Sequence, residues 1–103
     1  KIFMEKGKCA VCHIPQESFL DHQMHDLKLE RFYKLGQVFN DQVALPDGPI
    51  KTFTLRGIKD SPPYMHDGRL MTLADTVEFF NLVLGLKLTA DEKDSLVAYM
   101  LAL

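Results

Sequence analysis

Residues Cys9-Ala10-Val11-Cys12-His13 constrain this chain more than any other stretch of it. Two thiols three positions apart can face one object from a single turn of backbone, and the imidazole follows on the next residue. One edge of a porphyrin carries two vinyl groups to which such thiols can add. The histidine that follows then brings its ring under the iron. The C-x-x-C-H spacing therefore points to one covalent haem c, joined through Cys9 and Cys12, with His13 as an axial ligand. Covalent attachment suits a small domain that cannot enclose the group fully.

Other uses of the same residues are weaker. A disulfide framework needs more cysteines at wider spacing than the two in this chain. A thioredoxin-like pair wants a βαβ setting, and no such pattern is legible. Zinc is the sharper rival, because Cys9-x-x-Cys12 followed by His22-x-x-His25 supplies four donors. The histidine spacing falls below that of a usual finger.

The 103 residues fit one domain, 1–103, standing alone or forming one domain or a processed fragment of a longer chain. That length is near the lower end of what an apolar core holds together, so a buried cofactor would supply much of the core. Hydrophobic residues make up 47% of the chain, which argues against disorder. The formal net charge is -2 with no Lys/Arg run, so nucleic acid is not an expected partner. No apolar run approaches a membrane span. A targeting segment ahead of Lys1, removed on export, would be compatible with this start.

Along the chain, Lys1–Lys8 reads as a short helix with Ile2, Phe3 and Cys9 on its apolar side and Gly7 at a close approach. Pro15 ends any helix through the motif. Leu27, Phe32, Leu35 and Phe39 have partial helical spacing, interrupted by Gly36. Residues 40–49 and 59–69 read as loops rich in turn residues, the second holding Pro62-Pro63. Two helices close the chain. Thr72 can cap the first, whose apolar positions are Leu73, Val77, Phe80 and Leu84, with Gly85 as its stop. Thr89 and Glu92 have capping-box spacing for the second, striped by Leu96, Val97, Met100 and Leu101. No run alternates for long enough to make a sheet.

Beyond the attachment motif, several segments carry a family likeness. Phe19-Leu20-Asp21 and Met24-His25-Asp26 are similar to "FTD…FHN", and Phe53-Thr54-Leu55-Arg56-Gly57-Ile58 to "TLRNV". Pro63-Tyr64-Met65-His66-Asp67-Gly68-Arg69-Leu70-Met71-Thr72-Leu73 leads into a helix through Val77-Glu78-Phe79-Phe80-Asn81, and the last segment, 88–103, matches "LTxxExxxLVAFLxxL". The chain thus resembles the second, C-terminal haem domain of the bacterial di-haem cytochrome c peroxidase and MauG-like family. The resemblance implies an all-α fold, the small cytochrome c fold wrapped around one covalently attached haem, with Arg56 and the His66 loop near the propionates. It also implies a periplasmic or otherwise exported location.

At one position the chain departs from the family. The family's distal Met or Tyr aligns at or beside Phe80, and Phe cannot ligate iron. Met65, in a loop stiffened by Pro62-Pro63, is the first choice of sixth ligand; Met71 is the runner-up, followed by His66 or His25, or the position is open. The function expected is electron transfer by one haem c cycling between Fe(II) and Fe(III) with a redox protein, which could be another haem domain or subunit. The alternative is an enzyme: a peroxidase-type or small-ligand-binding haem domain with an open distal face.

Overall fold

The computed structural model describes residues 1–31, 37–39, 42–44, 48–66 and 68–103. Its regular framework is a pair of capped helices. Helix α1 spans Leu73–Val83, and its Thr72 cap accepts a hydrogen bond at Oγ1 from the Asp75 amide at 3.0 Å. The cap satisfies one orphan donor of the first turn, and Asp75 places negative charge at the positive end of the dipole. Helix α2 spans Ala90–Leu101 and opens with a full capping box between Thr89 and Glu92. The Thr89 amide donates to Glu92 at 2.8 Å, and the Glu92 amide donates to the Thr89 hydroxyl at 3.3 Å.

The turn between the helices is closed by two devices. Gly85, at φ 60, takes the left-handed position past α1. The Leu86 amide then bonds to the Asn81 carbonyl at 3.0 Å and the Gly85 amide to that of Leu82 at 3.3 Å, the pairing of a Schellman stop. Asn81 is buried, and its side-chain carbonyl also accepts from the Leu88 amide at 2.8 Å, just ahead of α2. An Asn81→Ala substitution strands that amide in the core. It is expected to cost about 1–3 kcal/mol, read as a fall in melting temperature of about 4–8 °C per kcal/mol for a domain of this size. An unchanged melting temperature would show that the amide does not depend on Asn81.

The remainder corrects the all-α expectation. Two antiparallel two-stranded ribbons are present among the described residues: β1 (Met24–His25) with β4 (Ile50–Lys51), and β2 (Gln37–Phe39) with β3 (Gln42–Ala44). In the first, Met24 lies opposite Lys51 and His25 opposite Ile50; in the second, Val38 lies opposite Val43. Paired segments of two or three residues are too short for alternation to show. Of the partial helical spacing of 27–39, the described residues show a 3-10 turn at Leu29–Arg31 and strand β2; Phe32 and Leu35 lie outside the described residues. The β-branched and aromatic Val38 and Phe39 suit a strand as well as a helix. The expected helix at Lys1–Lys8 is a run of turns running into a 3-10 turn at Cys9–Val11. Gly7 is a close approach: a Cβ there would stand 2.9 Å from the Ile2 carbonyl oxygen.

The core gathers Phe3, Phe19 and Tyr64 from the loops with Leu73, Val77, Leu88, Leu96 and Met100 from the helical end. Among the described residues, no large side chain falls below 2% exposure. The cluster is one wall of a cavity rather than a closed interior. Helix α1 shows this division: Leu73, Val77 and Asn81 are buried, while Phe80 and Leu84, also on its expected apolar stripe, line the cavity.

Candidate functional site

The cavity holds about 700 Å³ and is lined mostly by apolar groups. That lies within the roughly 300–1,000 Å³ range of small-molecule and cofactor sites. The attachment motif forms one side through Cys9, Cys12 and His13, residues 52–56 and Tyr64-Met65-His66 add further walls, and Thr76, Val77, Phe80 and Leu84 contribute the face of α1. Cys9, Cys12, His13, Arg56, Met65 and His66 are therefore brought to one space. Met71 is not: it is 65% exposed and lies outside the lining. Met65 is half-buried and sits at φ 71, an uncommon conformation for a residue with a Cβ.

Both sulfurs are free thiols. Burial pushes the Cys9 thiol up to about 11, against the lowering effect of a backbone hydrogen bond and with a further rise from Cys12. Cys12 is raised by burial and then by the Asp21 carboxylate. A thioredoxin-like nucleophile needs the opposite shift. The zinc set is not assembled either. The donors that meet within 4.8 Å of one another are Cys12, Asp21 and His25, without Cys9 or His22. Three mixed donors fall short of the four of a structural zinc site.

His13 has a fixed tautomer. Its Nδ1 lies 3.0 Å from the Phe19 carbonyl oxygen, which can only accept, so Nδ1 carries the proton. Nε2 is left with its lone pair for another partner. A ligating histidine is commonly oriented in this way. Burial lowers the His13 pKa, with the Phe19 carbonyl, Asp21 and the Phe53 backbone opposing it and His25 adding to it. The ring is thus held neutral, the state in which Nε2 can donate to a metal. A hollow of cofactor size, two thiols on its wall and an imidazole presenting Nε2 together fit a covalently attached haem.

Some of the surroundings were not foreseen from the sequence. The Asp21 carboxylate is only 6% exposed and bonds His25 Nε2 at 2.5 Å. Burial raises the Asp21 pKa, but hydrogen bonds from His25, the Gln23 amide and the buried Thr52 outweigh it and hold the carboxyl at about 2. The Phe19 carbonyl and Thr52 carry no motif that marks them in the sequence. His25 and Asp21 meet at i,i+4 spacing without a helix, so no periodicity announces the pair.

Three comparisons bear on the family. No protein-family model matches the chain, and no solved structure matches it significantly. Curated proteins do. The chain is 38% identical to the cytochrome-c peroxidase IdrP2 of Pseudomonas sp. (strain SCT), over 99% of the chain and 37% of that protein. It is 29% identical to the IdrP2 of Denitromonas iodatirespirans, over 100% of the chain and 38% of that protein. It is 32% identical to the methylamine utilization protein MauG of Methylorubrum extorquens, over 77% of the chain and 23% of that protein. The chain spans less than two fifths of each of these relatives. With its attachment motif and the hollow behind it, the chain is a relative of the cytochrome c peroxidase and MauG-like proteins, resembling a c-type haem domain of that family.

Proposed function

We propose that this chain binds one haem c and passes single electrons between it and a redox protein. The observation that carries the reading is the convergence of Cys9, Cys12 and the carbonyl-fixed His13 on one apolar cavity. The group supplies a one-electron Fe(II)/Fe(III) couple. The chain's own residues do the rest. Cys9 and Cys12 hold the group by thioethers, and His13 presents Nε2 to the iron. Met65 is the chosen sixth ligand, a soft thioether that favours the reduced state. Arg56 and His66, both on the cavity wall, face the propionates; a guanidinium can pair bidentately with a carboxylate.

A partner would meet the cavity mouth, where Val11 and Phe53 are exposed and Lys51 stands over the Phe53 ring at 5.8 Å. A small apolar patch with cations beside it suits a transient redox contact, with another haem domain or subunit as the partner. No described helix is long and apolar enough to cross a membrane. The location proposed is periplasmic or otherwise exported.

The purified protein is expected to be red, with a mass above that of the bare polypeptide and a Soret band that survives acid-acetone extraction. A colourless preparation of polypeptide mass would end the reading. A Met65→Ala variant is expected to lose low-spin ferric character while keeping its colour; an unchanged ferric spectrum would exclude Met65 as ligand.

A second reading has its own support. Two of the relatives are named cytochrome-c peroxidase, and Phe80, unable to ligate, lines the same cavity. An open distal face would bind peroxide or carbon monoxide, with His66 as the acid or base; Glu78, the other candidate, lies outside the cavity lining and is paired with Lys93. A ferrous protein whose spectrum shifts on adding carbon monoxide would favour that reading over electron transfer alone.

A further inference from the structure

The contacts around Phe19 form a chain that leads away from His13. Ser18 and Phe19 both occupy the left-handed region, at φ 56 and φ 60. Each is a strained conformation for a residue bearing a Cβ. Something must hold them there, and two contacts from residues 54–56 do. The Thr54 hydroxyl donates to the Ser18 carbonyl at 2.6 Å, across 36 positions of chain. The Arg56 guanidinium lies over the Phe19 ring, 5.2 Å from its centroid. The two are tied together, since the Arg56 amide donates to the Thr54 hydroxyl at 3.1 Å. On the other side the Phe19 ring meets Phe3 edge-on at 5.9 Å.

The consequence falls on the Phe19 carbonyl, which points at His13 Nδ1. We propose that Thr54 and Arg56 are positioning residues: they clamp the Ser18-Phe19 strap so that its carbonyl fixes the orientation and donor strength of the His13 imidazole. This rests on the reading of His13 as the iron ligand and deepens it. A carbonyl held firmly on Nδ1–H makes Nε2 a stronger donor and stabilises the oxidised metal. A slack strap weakens that bond and favours the reduced one. Thr54 is exposed, so its hydroxyl is not needed to satisfy a buried group. Its one long-range hydrogen bond among those described is the bond to Ser18.

The test uses the full holoprotein with Thr54→Val, Arg56→Leu and the conservative Thr54→Ser. In Thr54→Val and Arg56→Leu the His13 Nδ1–H, followed by NMR, is expected to exchange with solvent several-fold faster. In Thr54→Val, which removes no charge, the ferrous-to-ferric ratio at the wild-type midpoint potential is expected to rise about threefold, where a tenfold change corresponds to about 59 mV for one electron. Thr54→Ser is expected to restore both values, which a role in folding alone would not require. Wild-type exchange in both Thr54→Val and Arg56→Leu, with a wild-type midpoint in Thr54→Val, would overturn the clamp. The Nδ1–H exchange and the midpoint potential are separate readouts: faster exchange with a wild-type midpoint would keep the clamp and sink the reading of His13 as the iron ligand.

Discussion

A Cys9→Ala/Cys12→Ala chain is expected to be colourless and to lose its cooperative thermal transition. The cavity measures about 700 Å³ and is lined mostly by apolar groups. Burial of apolar surface stabilises by roughly 25 cal/mol per Å², and without the group that lining faces water instead. Domains of this length have only about 5–15 kcal/mol of stability in all, so walls that lose their filling partner collapse or flood. Either outcome removes fixed packing from Phe3, Tyr64, Leu73 and Val77, which line the cavity. The capped helices persist as local structure, so the expected state is compact, retains far-UV circular dichroism, loses the near-UV signal and binds a hydrophobic dye. Single Cys12→Ala, which keeps one possible thioether, should lie between the two. A doubly substituted protein with a native near-UV spectrum and a sharp melting transition would show that the core stands without the group.

The parts of this molecule that were legible in the sequence are those built from neighbouring residues. The caps at Thr72 and Thr89, the stop at Gly85 and the helices between them depend on spacings of a few positions, and each appears where expected. The attachment motif is local in the same way: one short turn brings Cys9, Cys12 and His13 to one wall. The first ribbon was missed because it joins His25 to Ile50 across a long stretch of chain, and the second because three residues a strand are too few to display a period. The hydrogen bond from His13 to Phe19 and the support of Phe19 by Arg56 were hidden for a different reason. They are made by a backbone carbonyl and by the face of a ring, which any sequence offers at many positions. Among the methionines the sequence left Met65 and Met71 as rivals in one loop; only the fold, which turns Met71 outward, separates them.

The His13→Ala variant separates attachment from ligation. Both thiols remain, so the protein is expected to keep its colour, its added mass and a Soret band resistant to acid-acetone. Its iron loses the proximal nitrogen, and axial-ligand identity spans about 0.8 V of haem potential, so a shift on the order of 0.1 V or more is expected with a change to high-spin character. The substitution also leaves the Phe19 carbonyl without the Nδ1–H that it accepts at 3.0 Å. Free imidazole fits both vacated roles: one nitrogen for the metal and one N–H for the carbonyl. N-methylimidazole can fill only the first, because a methyl group stands where the proton should be. A hydrogen bond of this kind contributes about 0.5–1.5 kcal/mol net, and leaving the buried carbonyl unpaired costs about 1–3 kcal/mol. Imidazole is therefore expected to restore the low-spin spectrum with at least about tenfold higher affinity than its methylated analogue. Equal affinities would mean that the Phe19 carbonyl does not hold the ring. Failure of either compound to restore the spectrum would mean that the iron never rested on residue 13.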